Sequence, residues 1–271
     1  MIDLPYAEVI GDPIAHSKSP IIHGFWLSAL GIDGEYRRTH VLPDQLPAYF
    51  ANRKSDPSWR GCNITVPHKV AALDYIADPG DVRGTIGAVN TVFRDGGGEV
   101  VGTNTDAAGF YAPISDLDLK GARVALVGAG GAARAVLFAL SKVGVGHVTI
   151  LNRNPLRAAA LLSHFRLKGD AVPLDAPLPP AELLVNASQL GMTGQPPLAL
   201  DLTPLPDHAV VYDAVYAPLE TPLLAEAQAR GLETVDGLEM LVAQAALAFE
   251  LFFGAEPPRE RDEELRARLV G

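Results

Sequence analysis

Val124-Ala125-Leu126-Val127-Gly128-Ala129-Gly130-Gly131-Ala132-Ala133 is the stretch that decides the fold. It reads as a short apolar strand, a glycine turn and the opening of a helix that runs from Ala132 to Val143, and Val148 to Leu151 reads as the strand that follows. The turn fits the pattern G-x-G-x-x-A in the position a dinucleotide site requires. Gly128 permits the tight turn, Gly130 lets backbone approach a pyrophosphate, and the N-terminus of the helix offers free N–H groups and a dipole that favour phosphate. A glycine turn that serves only packing would look the same in isolation. The second strand ends in Asn152-Arg153-Asn154, with Arg157 one turn further on, where an NAD enzyme carries Asp or Glu for the ribose hydroxyl. A guanidinium there suits a 2′-phosphate, which favours NADP over NAD; the alternative is a pair of solvated surface arginines.

Outward from this unit, short apolar runs alternate with helical stretches over nearly the whole chain, the pattern of an α/β fold with largely parallel sheets. At 271 residues two domains are expected, with a cleft between them as the place for a ligand. The net charge of −10 opposes nucleic acid and anionic membrane surfaces, so an anionic substrate must be held by local groups. One cysteine, Cys62, cannot form an internal disulfide and its apolar neighbours suggest a buried, inert thiol in a reducing compartment. Met1-Ile2-Asp3-Leu4-Pro5 lacks the basic and apolar regions of a secretory signal, and no apolar run approaches the ~20 residues of a membrane span. A cytoplasmic location is the resulting expectation; separately, the expected partner is a small molecule, with no metal, and the expected state a monomer or homodimer.

The first strand is expected at Tyr6 to Ile10. A helix should begin near Pro20 with Ser19 as its N-cap and close at Gly31, burying Ile22, Phe25, Trp26 and Leu30. Gly61 to Val66 reads as a strand with Pro67 opening a helix, and Ala88 to Phe93 as another strand before the Gly96-Gly97-Gly98 turn. Proline-rich loops at Pro173 to Pro180 and Pro196 to Pro206 read as crossovers at a sheet edge. The apolar helix Leu238 to Phe253 has no strand after it and is expected to return to the first domain. The expected division is 1–106, 107–236 and a C-terminal segment 237–271.

Three polar clusters fall at the ends of first-domain elements, where open α/β sheets bind ligands: Ser17 with Ser19; Asn63, Thr65 and Lys69; and Asn90 with Asn104, Thr105 and Asp106. Two hydroxyls beside a helix N-terminus make a carboxylate cradle, although Ser19 could also be only a cap. Lys69 is expected in the first turn of its helix, where the macrodipole disfavours a cation and would depress its pKa towards acid–base work. Asp106 could serve only as a helix cap. Asn90 interrupts an apolar strand, so its amide needs partners if buried. His16, His23 and His68 show no metal-ligand spacing and read as structural or as supports behind the residues of a site.

Together these residues resemble the shikimate dehydrogenase family over essentially the entire chain. Gly11-Asp12-Pro13-Ile14-Ala15-His16-Ser17-Lys18-Ser19-Pro20-Ile21-Ile22-His23 is similar to its opening substrate motif, and Asn63-Ile64-Thr65-Val66-Pro67-His68-Lys69 to its catalytic-lysine motif. Gly87-Ala88-Val89-Asn90-Thr91, Asn104-Thr105-Asp106, Asn152-Arg153-Asn154, Asn186 to Met192, Tyr212-Asp213-Ala214-Val215-Tyr216 and Gly237 to Ala246 continue the likeness in order. The resemblance implies an N-terminal α/β substrate-binding domain, a Rossmann-like NADP-binding domain and a C-terminal helix returning to the first. It implies Ser17, Ser19 and Tyr216 on the substrate carboxylate and Thr65, Asn90, Asp106 and Gln244 on ring hydroxyls. Lys69 becomes the proton donor and acceptor with Asp106 orienting it; Asp81, Ala214 and Gly237 approach the cofactor, as do Ala129 and the other residues of the glycine turn. Reversible NADP-dependent reduction of 3-dehydroshikimate is the implied reaction. An NAD-using quinate/shikimate dehydrogenase and a non-catalytic NADP-binding sensor are the alternatives.

Overall fold

The computed structural model describes residues 4–271; Met1-Ile2-Asp3, part of the stretch read for a secretory signal, lies outside the described residues. The chain divides into two compact units, Met1–Thr105 with Val242–Gly271, and Asp106–Leu241. Among the described residues no helix is long and apolar enough to cross a membrane.

In the first unit the elements are β1 (Tyr6–Gly11), α1 (Ser19–Leu30), β2 (Glu35–His40), α2 (Leu46–Lys54), β3 (Trp59–Ile64), α3 (Val82–Thr85), β4 (Thr91–Arg94) and β5 (Val100–Thr103). They form a five-stranded sheet in the order β2-β1-β3-β4-β5. β1 pairs parallel with β2 and β3, while β4 and β5 add an antiparallel edge. β2 is the other edge and carries charged residues on its exposed side, which discourages further strand pairing. Its central neighbour β1 is wholly buried and includes Glu8, 1% exposed. That carboxylate is tolerable because Tyr49 Oη (2.7 Å), Arg53 Nε (2.6 Å) and the Thr39 hydroxyl all donate to it. α1 buries Ile22, Phe25, Trp26 and Leu27; Leu30, expected in that face, is 39% exposed because it is the last residue before the left-handed Gly31 turns the chain away.

The second unit contains α4 (Asp106–Tyr111), β6 (Arg123–Val127), α5 (Gly131–Val143), β7 (His147–Leu151), α6 (Pro155–Phe165), β8 (Gly169–Val172), β9 (Leu183–Asn186), β10 (Val210–Asp213), α7 (Pro222–Ala229) and β11 (Glu233–Val235). Its six strands run in the order β11-β10-β9-β6-β7-β8, all parallel. Counted from β6 this is 3-2-1-4-5-6, the doubly wound dinucleotide-binding order. Strand alternation divides the core between two faces: Val124, Leu126 and Val185 pack on one side with α4, α5 and α6, and Ala125, Val127 and Leu184 on the other with α7. The loop from Pro173 to Pro180 carries the chain from edge strand β8 back to the centre at β9.

α8 (Gly237–Phe253) contains the boundary between units, and α9 (Asp262–Val270) ends the chain in the first. Ala248 and Phe252 of α8 pack on Ala7 of β1. Gly61 makes this possible, since a Cβ there would stand 2.5 Å from the Phe252 ring and 2.4 Å from the Val92 carbonyl oxygen.

Candidate active site

β1 has β2 on one flank and β3 on the other, so successive connections leave its carboxyl end in opposite directions. Such a reversal opens a crevice beyond the strand ends. There Thr65 donates its N–H to the Ile10 carbonyl (3.0 Å) and Asp12 donates to that of Val66 (3.0 Å). The approach requires Gly11, whose missing Cβ would lie 2.5 Å from the Thr65 methyl. The loop of Ser17 and Ser19 and the turn of Thr65 and Lys69 thus start from adjacent strand ends.

Two local expectations are corrected here. Ser19 is the first residue of α1, not its cap; Lys18 precedes it with helical backbone and no side chain caps the end. Ser17 Oγ instead accepts the Ser19 N–H at 3.3 Å, while Arg38 Nε and Nη2 hold the Ser17 carbonyl at 2.8 and 2.6 Å. Burial raises the Tyr36 phenol well above its ordinary pKa, and the neighbouring Ser19 hydroxyl opposes that rise. Lys69 is not in an α-helix: Val66 to Val70 form a turn, and Ala71–Tyr75 behind it is a 3-10 helix. Lys69 therefore does not sit in the first turn of an α-helix and meets no macrodipole there. Its backbone is nevertheless fixed, the carbonyl accepting the Val89 N–H at 2.8 Å.

Asn90 lies just ahead of β4 instead of within a strand, although its carbonyl still accepts from Ile64 N–H (2.7 Å) and its N–H donates to the Thr103 carbonyl (3.2 Å). It is 2% exposed, and its amide meets the need for partners that burial imposes. Oδ1 accepts from Thr105 N–H (2.7 Å) and from the Thr91 hydroxyl (3.2 Å). Nδ2 donates to Thr105 Oγ1 (2.9 Å) and to Gln244 Oε1 (3.3 Å). Gln244, an amide on an otherwise apolar helix, is thereby drawn into the same cluster. Asn63 joins it by donating to Thr91 Oγ1 at 3.0 Å. Asn104 braces the loop, its Nδ2 donating to the Ala88 carbonyl at 2.7 Å. Asp106 is buried and opens α4 in the second unit. Asp81 caps α3 from a left-handed backbone (φ 50°), its carboxylate accepting the Gly84 N–H at 3.1 Å.

In the second unit the reversal of strand order falls between β6 and β9. Gly128 follows β6 with φ +105°, and a Cβ there would press on the Ala187 carbonyl oxygen at 3.1 Å. Gly130 precedes α5 without a side-chain cap, and a Cβ built there has nothing within 4 Å. Ala129 is buried between them, and Gly131 and Ala132 form the first turn of α5. After β7, Asn152 Nδ2 holds the Asn154 carbonyl at 2.8 Å, and Asn154 caps α6 by accepting the Arg157 N–H at 3.3 Å. Arg153 and Arg157 are exposed. Burial, and then the charge of Arg157, hold the Arg134 guanidinium below its ordinary pKa. Two cations that repel one another beside a helix N-terminus suit a multiply charged anion.

β10 ends at Asp213, fully buried, whose carboxylate accepts from Asn186 Nδ2 (2.8 Å), Val215 N–H (3.0 Å) and the Thr221 hydroxyl (2.7 Å). Burial still pushes its pKa up. These bonds anchor the loop of Ala214, Val215 and Tyr216. Gly237 lies against that loop, where a Cβ would come 2.5 Å from the carbonyl oxygens of both Ala214 and Val215.

Residues 9–92 match the family model described as the shikimate dehydrogenase substrate binding domain, residues 112–179 that of shikimate / quinate 5-dehydrogenase, and residues 237–265 the shikimate 5'-dehydrogenase C-terminal domain. A protein of Sphingopyxis alaskensis named shikimate dehydrogenase (NADP(+)) is 69% identical over 266 residues, which cover 98% of this chain and 97% of that one. The chain belongs to the shikimate dehydrogenase family. The shikimate 5-dehydrogenase of Thermus thermophilus, solved in complex with NADP(H) and shikimate, has a TM-score of 0.86 at 39% identity and covers 98% of this chain and 100% of its own. A quinate dehydrogenase of Corynebacterium glutamicum, solved in complex with NAD, has a TM-score of 0.81 at 32% identity, with 98% and 99% coverage.

In this member of the shikimate dehydrogenase family, sequence reading gave no role to Tyr36, Thr91 or Arg134, and none of its own to Thr105. Arg134 had a usable signal: it stands at the start of α5, a cation at the positive end of a helix, which is the conflict wrongly assigned to Lys69. Tyr36 had none, because it sits in an edge strand of charged residues.

Proposed function

We propose that this protein interconverts shikimate and 3-dehydroshikimate with NADP as the redox partner, the reading its family supports. The observation that carries it is the buried cluster of Asn90, Thr105 and Gln244 in the same unit as Ser17, Ser19, Thr65 and Lys69. A ring bearing one carboxylate and several hydroxyls needs such a set: paired donors for the anion and amides for the hydroxyls.

In this reading Ser17, Ser19 and Tyr216 take the carboxylate, and Thr65, Asn90, Asp106 and Gln244 take the ring hydroxyls. Lys69 accepts the proton of the reacting hydroxyl during oxidation and returns it during reduction, with Asp106 orienting both groups. Residues present fit the cofactor on structural grounds, through the open approach at Gly130, the uncapped start of α5 and the paired arginines. Gly128, Ala129, Gly130, Gly131 and Ala132 would hold its pyrophosphate, Asn152, Arg153, Asn154 and Arg157 its 2′-phosphate, and Ala214 and Gly237 its nicotinamide end, with Asp81 nearby. When bound, NADP supplies the ring carbon that exchanges hydride with the substrate. A reducing, cytoplasmic setting belongs to the same reading, supported by the single thiol, Cys62, whose burial raises its pKa and keeps it unreactive.

Initial rates on shikimate and on quinate, each with NADP and NAD, test the assignment. Shikimate with NADP should be fastest; a preference for quinate with NAD would replace the reading by its nearest rival. Lys69→Ala should lower kcat by about 100- to 10,000-fold with little change in the KM for shikimate, since the loss falls on the proton transfer. Unchanged turnover would remove Lys69 from the chemistry.

A further inference from the structure

A directed run of hydrogen bonds crosses the first unit. Tyr36 Oη, beside the Ser19 hydroxyl, donates to Asn63 Oδ1 at 2.6 Å; Asn63 Nδ2 donates to Thr91 Oγ1 at 3.0 Å; Thr91 donates to Asn90 Oδ1 at 3.2 Å; Asn90 Nδ2 donates to Gln244 Oε1 at 3.3 Å. Every link has the same sense, so each bond polarises the next. An amide turned over at one link would set two donors or two acceptors against each other further along. Tyr36 is the link before the first amide, and its single proton decides that Asn63 presents oxygen to the phenol and nitrogen to Thr91.

The phenol ring is itself held. His23 stacks on it with ring centroids 3.9 Å apart and planes 1° from parallel. That imidazole is fully buried among Trp26, Phe249 and Phe252, and neither of its nitrogens has a hydrogen-bond partner among the described residues. Its contribution here is the flat face against Tyr36.

We infer that Tyr36 is a positioning residue for substrate: its hydroxyl, next to Ser19 of the carboxylate cradle, heads the amide run ending at Gln244 and sets which end of each amide faces the ring hydroxyls. This rests on the shikimate reading above. When a carboxylate arrives at Ser19, Tyr36 keeps its own proton on Asn63, so the order of the amides is preserved during binding.

Tyr36→Phe removes the hydroxyl and keeps the ring on His23. The KM for shikimate should rise about tenfold, with kcat and the KM for NADP each within about threefold of wild type. Because the effect passes through Asn63, adding Tyr36→Phe to Asn63→Ala should raise the KM for shikimate by less than about twofold further. A lower melting temperature with unchanged KM for shikimate would reduce Tyr36 to a structural residue. Fully additive effects of the two substitutions would show that Tyr36 does not act through Asn63, and a parallel rise in both KM values would point to general damage; each overturns the inference. Wild-type protein inert towards shikimate would overturn the substrate reading and the inference with it, and that outcome is seen before any variant is made.

Discussion

His23 shows how one residue can be legible as a position and illegible as a role. It ends the motif that opens the first unit, and burial pushes its pKa down to about 3 from an ordinary 6.5. In the unfolded chain the imidazole takes up a proton below about pH 6.5, whereas the folded chain refuses it until about pH 3. Stability is therefore lost as pH falls through that window, at up to about 1.4 kcal/mol per pH unit from this group alone. The rings around it do not titrate in that range; Tyr36 lies well above its ordinary value. Urea unfolding between about pH 7 and pH 4 should show a shallower decline for His23→Phe than for wild type, and equal slopes would assign the acid sensitivity elsewhere. Asn90 was readable as an amide needing partners, but which partners required the fold. The lysine dipole argument failed because a proline after a strand predicts a turn of some kind, and the choice between an α-turn and the looser turn found at Lys69 lies in packing that the local sequence does not express.

At the level of elements, the glycine turns carry most of the information. Gly128 combines φ +105° with contact at 3.1 Å to the Ala187 carbonyl, so Gly128→Ala should cost about 1–3 kcal/mol and weaken NADP binding. Gly144 also has a left-handed backbone, φ +81°, but open space around it. Gly144→Ala should cost only about 1 kcal/mol and leave NADP affinity unchanged. Denaturant unfolding together with cofactor titration of the two variants checks this; equal losses of affinity would mean that close approach at Gly128 is not what matters. The strand, turn and helix around Gly128 were readable because each is set by near neighbours: β6, α5 and β7 fall within a residue of the expected bounds. The bounds of β4 were not: the strand read from Ala88 to Phe93 runs from Thr91 to Arg94, where its pairing with the sequence-distant β3 begins at Thr91 opposite Asn63.

At the scale of the molecule, the second unit is one continuous segment and the first is assembled from two, with Val242–Gly271 completing it. Both tryptophans, Trp26 and Trp59, are fully buried in the first unit and report on it alone. A chain ended after Leu241 should show red-shifted tryptophan emission, because Ala248 and Phe252 no longer cover Ala7, yet its second unit should still gain thermal stability from NADP by mass action. Native emission from the shortened chain would mean that the helix is dispensable to the first unit. What the sequence alone determined was the class of fold, the dinucleotide turn and the roster of polar residues, since these follow from turn chemistry, strand periodicity and residue type over a few neighbours. Only the tertiary structure decided which of them meet: Asn90 and Gln244, 154 positions apart, share a hydrogen bond, and Tyr36 reaches Asn63 across 27. Burial is the reason, because an amide or phenol removed from water takes whatever partner the packed chain brings to it, and no local pattern records that choice.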